Sequence, residues 1–199
     1  MDRQPVLDGE RLLLRPLREN DWGALYAVAS DSELWAAHPA HDRWQEPVFR
    51  AFFDDALATG SALAIVDTAN GAVIGSSRFH DHHPADANGL GGSVEIGWSF
   101  LSRAYWGRGY NAEFKRLMLE HAFKSVERVL FRVGAENVIS RKAMANIGGR
   151  LTGETFVAER AGRPTLHVIY EITRESFAAG PLARRPIAIE ATKGSGVGE

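Results

Sequence analysis

The 199-residue chain has no cysteine and a net charge of only −2 at pH 7. The missing cysteines remove thiol nucleophiles, thiolate metal sites and disulfides together, and they suit a reducing cytoplasm. The near-neutral charge leaves no global field to recruit nucleic acid or an anionic membrane, so neither is expected as a partner. Long apolar runs are also lacking. In MDRQPVLDGERLLLRPL the apolar run is far too short for a secretory signal or a membrane span, so a cytoplasmic address is expected. What is present is a soluble-type composition, 45% hydrophobic and 24% charged, in a chain that fits one domain of ordinary size, with or without a tail.

Period-2 and period-3.6 patterns alternate along the chain. ERLLLRPL reads as a strand, and Asn20 and Asp21 offer N-caps for a helix over Trp22–Ala29. PVFRAFFDDALATG reads as a second helix ended by Gly60. ALAIVD and AVIGSSRFH follow as strands joined at Asn70-Gly71, a hairpin turn signal. SVEIGWSFL is a strand, and Phe114, Leu117, Met118, His121 and Ala122 mark one face of a helix. ERVLFRVG, SRKAMANIG, LTGETFVAE and TLHVIYEIT complete an order β-α-α-β-β-β-α-β-α-β-β. That order is a mixed α/β domain over residues 1–175, followed by a flexible tail over 176–199.

The stretch RAYWGRGYNAE, residues 103–113, ends a strand and opens a helix. Gly107 and Gly109 permit backbone geometries that other residues avoid and let an anion approach closely. The first N–H groups of the helix that follows have no intrahelical partner and sit at the positive end of its dipole. A pyrophosphate fits such a place, with Arg108 as a flexible charge at its rim. The bland alternative is a two-glycine turn, and the flanking segments favour the anion site.

Those segments, VEIGWSFLSRAYWGRGYNAEFKRLMLEHAF and ENVISRKAMANIGG, resemble the GNAT superfamily of acyl-CoA-dependent N-acyltransferases. The likeness is closest to the branch containing the ribosomal-protein N-terminal acetyltransferases and extends over roughly residues 8–173. It implies the GNAT fold, an α/β (α+β) architecture with a mixed, mostly antiparallel central sheet flanked by helices in a single domain. It also implies acetyl-CoA as cosubstrate and an amine acceptor, either a protein N-terminus or a small molecule. A homodimer is compatible with it. The implied cofactor contacts run through Trp98, Ser99, Phe100 and Leu101 on the strand, and through Trp106, Gly107, Arg108, Gly109, Tyr110, Asn111 and Ala112 at the turn and helix start. Asn137, Ser140 and Arg141 on the second segment complete them. The chain departs from the family's turn pattern at two places, where Trp106 stands for Gln or Arg and Asn111 for a smaller residue.

Amine acylation needs a neutral amine, a positioned thioester and a stabilised oxyanion. An α-amino group is free in about one molecule in ten at pH 7, and a lysine in about one in several thousand, so deprotonation is the step most in need of help. Glu95 is the candidate base. Strand alternation groups Val94, Ile96 and Trp98 on one face and turns Glu95 to the other, beside Gly97. The competing reading makes Glu95 a structural partner for an arginine. Where many relatives carry a tyrosine acid this chain has Met144, and Tyr110 reads as packing. Trp35 and His38 are expected to line the acceptor pocket. The HDHH run, residues 80–83, lacks a second ligand cluster, and no metal is expected. A non-catalytic acyl-CoA-binding domain is the alternative from another class. A nucleotide-binding domain ranks third, because no Lys-Ser or Lys-Thr follows the glycines.

Overall fold

The computed structural model of the protein describes residues 1–88 and 91–183. Its N-terminal hairpin pairs β1 (Leu7–Asp8), too short to register in the sequence pattern, with β2 (Leu12–Pro16). Helix α1 (Trp22–Ala29) begins at Trp22, but Asp21 does not cap it with its side chain. The Asp21 carboxylate instead accepts from the Arg15 guanidinium at 2.6 and 2.8 Å and from the Arg18 N–H at 2.9 Å, so ion pairing has taken the capping group. Helix α2 (Glu46–Ala58) buries Phe49, Phe53 and Ala56, one helical stripe, and Gly60 follows it in the left-handed region. Strands β3 (Ala62–Asp67) and β4 (Val73–His83) are joined through Gly71 at φ +73°, with Asn70 Oδ1 accepting from the Ala72 N–H.

Strand β5 (Ser93–Leu101) leads through a 3₁₀ turn into α3 (Tyr110–Ala122). Then come β6 (Arg128–Gly134), α4 (Val138–Asn146), β7 (Arg150–Arg160), β8 (Arg163–Thr173) and the short α5 (Arg174–Ala178). Of the tail expected over 176–199, residues 184–199 lie outside the described residues. Within the described part, Phe177 packs on Phe123 at 5.3 Å and Leu182 is buried in the core. No described helix is long and apolar enough to cross a membrane.

The eight strands form one sheet in the order β1-β2-β3-β4-β5-β6-β8-β7, antiparallel except between β5 and β6. Alternate residues divide between two cores, one on each face. Leu63, Ile65, Val94 and Ile96 pack with Phe114 and Met118 of α3, while Ala62, Ala64 and Phe100 pack with the aromatic side chains of α1 and α2. This is the mixed, mostly antiparallel α/β architecture expected from the sequence.

Two irregularities position the site. Ser76 pairs with Phe100 but Arg78 pairs with Gly97, so β5 carries one extra residue there, and Trp98 adopts φ +52°. This bulge overturns the simple alternation that put Trp98 with Val94 and Ile96. The Trp98 ring instead lies against His80 (4.7 Å) and Arg78 (4.8 Å), on the opposite face. Secondly, β5 and β6 pair only from Ser93 to Glu95 and from Arg128 to Leu130, then separate. Beyond Glu95 the β6-facing edge of β5 has no β6 partner.

The N-terminal hairpin is tied to α3 by Glu113, which is buried. Its carboxylate accepts from the N–H groups of Arg11 (2.8 Å) and Leu12 (3.2 Å) and from Arg11 Nε (2.8 Å). Burial alone would raise this carboxyl's pKa, but the Arg11 and Leu12 hydrogen bonds and the Arg11 charge outweigh it and hold it below the ordinary value. The stabilisation is therefore present at neutral pH and is lost as pH falls through the depressed value. Glu113→Gln should lower stability at pH 7 by about 1.5–3 kcal/mol in urea unfolding, and the gap to wild type should narrow in acid. An unchanged midpoint at pH 7 would show that the hairpin is held by packing alone.

Candidate active site

The turn between β5 and α3 has the backbone geometry expected of an anion site. Gly107 and Gly109 have φ +71° and +83°, and Gly109 is the N-cap of α3, so no side chain caps the helix start. The first intrahelical bond is that of the Glu113 N–H to the Gly109 carbonyl, leaving the N–H groups of Tyr110, Asn111 and Ala112 ahead of it. Trp106 closes the turn by donating from Nε1 to the Leu101 carbonyl at 2.8 Å. From behind, Arg11 donates to the Arg108 carbonyl at 3.0 Å and lies 4.2 Å from the centre of the Tyr110 ring. A Cβ at Gly109 would come within 3.3 Å of the Arg11 guanidinium, so the turn and its clamp fit closely.

A cleft of about 480 Å³ runs from this turn along α4. Of the residues expected at the cofactor, Ser99, Phe100, Leu101, Trp106, Gly107, Gly109, Asn111, Ala112, Asn137 and Ser140 line it. Asn137 caps α4, its Oδ1 accepting from the Ser140 N–H at 3.0 Å. A second cavity of about 370 Å³ lies where β5 and β6 part, and Ser99, Asn111, Asn137 and Ser140 line both spaces. Glu95 and Trp98 open on the second space only. Arg108 and Tyr110 line neither: Arg108 is exposed and Tyr110 packs edge-on against Tyr105 at 4.9 Å. Arg141 also lines neither. Its guanidinium donates to Tyr170 Oη at 3.2 Å and to the Ala135 carbonyl at 3.0 Å, which fastens α4 to the sheet. The guanidinium expected at the phosphates is thus engaged in internal bonds in this structure.

Trp35 and His38 border the first cleft, and His38 reaches the second. Trp35 is a core residue, 2% exposed, whose Nε1 donates to the Ala29 carbonyl at 2.7 Å, so it contributes ring surface and no free donor. His38 Nδ1 accepts from the Ala40 N–H at 2.9 Å. Burial, with the charges of Arg43 and Arg160, pushes its pKa down to about 3, so this imidazole is neutral at any working pH.

Glu95 is buried at the point where the strands part, 4% exposed. Its carboxylate accepts from Arg132, which also donates to Asp81 at 2.9 Å. The arginine partner weighed against a catalytic role is therefore present, and the carboxylate still faces the cavity. A Cβ at Gly97 would come within 3.2 Å of Glu95 Oε1, so glycine there leaves the carboxylate its room. Burial, the largest influence, raises the Glu95 pKa to about 7, with Arg132 opposing and Asp81 assisting.

The sequence reading missed Lys115. It lies on α3, 2% exposed, and reaches into the gap between β5 and β6. Nζ donates to Ser99 Oγ at 2.7 Å, and Ser99 Oγ is 2.8 Å from Ser77 Oγ. Among the described residues no carboxylate is within ion-pair distance of it, and the rings of Phe114 and Phe131 lie 5.0 and 5.2 Å away. Burial pushes its pKa down to about 7, against the charge of Glu95, which raises it. The available signal was a lysine directly beside Phe114 on the apolar side of the helix. Among the described residues no group of three His, Cys, Asp or Glu could hold a metal ion.

A glycine turn at a helix start joined to a cleft, beside a second cavity lined by a buried carboxylate where two strands diverge, fits an acyl-CoA-dependent transferase. The chain belongs to the GNAT acetyltransferase family: residues 11–150 match the family model described as an acetyltransferase (GNAT) domain. Members of this family take the acetyl group from acetyl-CoA. The chain is 29% identical over 151 residues to the uncharacterised N-acetyltransferase YnaD of Bacillus subtilis (strain 168), covering 72% of this chain and 82% of that protein. Among solved structures it resembles a GCN5-related N-acetyltransferase from Brucella melitensis (TM-score 0.75, 21% identity, 88% of this chain and 81% of that one). It also resembles Mycobacterium smegmatis RimJ in complex with CoA-disulfide (TM-score 0.63, 21% identity, 86% and 88%). At these identities the two structures establish the fold.

If the cradle at Gly107–Ala112 holds the pyrophosphate, CoA and acetyl-CoA should stabilise the protein, while ATP and NAD should not. At about a hundred times the dissociation constant the gain is roughly 2.7 kcal/mol, read as a rise in melting temperature. Gly109→Ala, which strains the turn and crowds Arg11, should weaken CoA binding at least tenfold. A melt unmoved by saturating CoA contradicts the assignment.

Proposed function

We propose that the protein is an acetyl-CoA-dependent N-acetyltransferase that acetylates a primary amine by direct attack in a ternary complex. The observation that carries this reading is the joining of two spaces at Ser99, Asn111, Asn137 and Ser140, one ending at the anion cradle and the other at Glu95. Cofactor and acceptor can then enter from different sides and meet at the strand gap. The turn and helix start from Gly107 to Ala112 hold the pyrophosphate. The β6-facing edge of β5, from Trp98 to Leu101, offers backbone hydrogen bonds to the pantetheine arm, and Asn137 and Ser140 border it from α4. Acetyl-CoA, when bound, supplies an acetyl thioester whose carbonyl carbon bonds the amine nitrogen as sulfur leaves with its electron pair.

Glu95 takes the proton that the amine nitrogen gives up. A carboxyl with a pKa near 7 is matched to that task at neutral pH, since it is ionised in a large fraction of molecules and still basic. Arg132 orients it. Lys115 holds Ser99 Oγ at the junction of the two spaces and places a positive charge where negative charge develops. This pair does work for which many relatives use a tyrosine at the position of Met144.

The ribosomal-protein N-terminal branch is the subfamily this reading favours. Trp106, a departure from the wider family's turn pattern but familiar in this branch, supports it together with the likeness in fold to RimJ. The reading keeps the cytoplasmic address expected from the cysteine-free sequence.

The test is CoA thiol release with acetyl-CoA and a panel of amines. Turnover should rise with pH as Glu95 ionises near 7 and fall again as Lys115 loses its proton, giving a narrow bell. Glu95→Gln should cut turnover by about 10²–10⁴ and remove the acidic limb, with CoA affinity retained. Lys115→Met should cut it by about 10²–10³ and remove the alkaline limb. Binding of acetyl-CoA with no amine-dependent thiol release would favour the non-catalytic alternative. Unchanged activity in Glu95→Gln across pH would leave that carboxylate a purely structural partner of Arg132.

A further inference from the structure

The cavity beside Glu95 has a marked charge imbalance. Four cationic side chains line it, Arg43, Lys115, Arg132 and Arg160, against Glu95 as the only carboxylate. Two of the four are accounted for. Arg132 pairs with Glu95 and Asp81, and Lys115 bonds Ser99. The other two lack an anionic partner among the described residues. The Arg43 guanidinium lies over the rings of Phe52 (4.4 Å) and Trp35 (5.0 Å) and forms no ion pair. Arg160, at the end of β7, donates only to the backbone carbonyl of Glu159 at 2.8 Å.

The charged and titratable groups facing these two arginines come from every neighbouring element. His38 and Asp42 flank Arg43 in the segment before α2, Arg78 and His80 stand on β4, Glu95 on β5, Lys115 on α3, Arg132 on β6 and His167 on β8. Asp55 is bound to Arg78 at 2.7 Å and Asp81 to Arg132, so neither is free to neutralise the pair. Asp42 acts on Arg43 through space without a hydrogen bond. The resulting positive field shows in its neighbours. Burial lowers the Arg43 pKa to about 10, helped by Arg160 and Arg78, and burial together with Arg160 lowers that of His167. Two guanidiniums held near each other, one on an aromatic shelf, carry a desolvation and repulsion cost that an anion would relieve. On the proposed reading the CoA pyrophosphate is not the anion in question, because Gly107, Gly109 and Ala112 line only the other cleft.

We propose that the acceptor is an amine that carries a carboxylate, with its amine at Glu95 and its carboxylate between Arg43 and Arg160. The proposal rests on the acetyl-transfer reading of the same site and narrows its substrate class. Polyamines and aminoglycosides, whose amines are accompanied by further cations, are rejected by the same two arginines. A carboxylate of this kind is supplied either by a free amino acid or by an acidic residue close behind a peptide N-terminus.

The test uses the full chain, acetyl-CoA and matched acceptors: N-terminal serine peptides with aspartate, asparagine or lysine second, free glutamate beside its diamide, and spermidine. Carboxylated acceptors should exceed their amide counterparts in kcat/KM by about ten- to a hundredfold, and cationic ones should fall below the amides. The peptide and amino-acid arms separate the two sources. Arg43→Gln and Arg160→Gln should each reduce the carboxylate-over-amide preference about tenfold, and Arg160→Glu should invert it toward the lysine peptide. Calorimetric binding of the same acceptors keeps the two readings distinct. If no acceptor is acetylated but carboxylated ones bind and lose affinity in Arg160→Glu, the charge assignment stands and acetyl transfer falls. Equal kcat/KM for carboxylate and amide, or variants that weaken acetyl-CoA binding and leave acceptor preference intact, would overturn the proposal.

Discussion

The site depends on the parting of β5 and β6. Parallel pairing lasts only from Ser93 to Glu95 on one strand and from Arg128 to Leu130 on the other. Had it continued, the edge of β5 would be satisfied by β6 and no space would exist beside Glu95. The gap needs support from below, and α3 supplies it: Phe114 and Met118 fill the core while Lys115 reaches up to Ser99. A charged side chain in that position costs free energy that a leucine would not. Its presence at the meeting point of the two spaces is accounted for by chemistry better than by stability.

The opening also keeps opposite electrostatic demands apart. The turn proposed to hold the pyrophosphate offers backbone N–H groups and a helix dipole, with few formal charges, while the second cavity offers guanidiniums. Glu95 lines the second cavity, buried so that its pKa rises to about 7 and held by Arg132. Arg11 and Glu113 fix the Gly107–Gly109 turn to the N-terminal hairpin, so the turn proposed to receive the cofactor is braced from outside the site.

Much of this was legible in the sequence because it is local. The two glycines, the Asn70-Gly71 hairpin and the side of β5 that bears Glu95 follow from periodicity and turn chemistry over a few residues. What was missed is non-local. The bulge at Trp98 defeats counting by twos, since alternation takes no account of an extra residue. Lys115 has meaning only against Ser99, sixteen positions earlier on another element. Arg141 reads as a surface cation beside a phosphate site until Tyr170, from a distant hairpin, is placed next to it. Arg43 and Arg160 come to line one cavity only through the tertiary fold, one from the segment before α2 and the other from the end of β7.

The account is tested most directly by a crystal structure with a bisubstrate analogue, CoA joined through an acetyl bridge to the amine of an aspartate-containing peptide. It predicts the pyrophosphate within hydrogen-bonding distance of the N–H groups of Gly107 to Ala112. It also predicts the bridging nitrogen beside Glu95 and the carboxylate on Arg43 and Arg160. A CoA moiety seated in the cavity between Glu95 and Arg160, or on another face of the sheet, would contradict it.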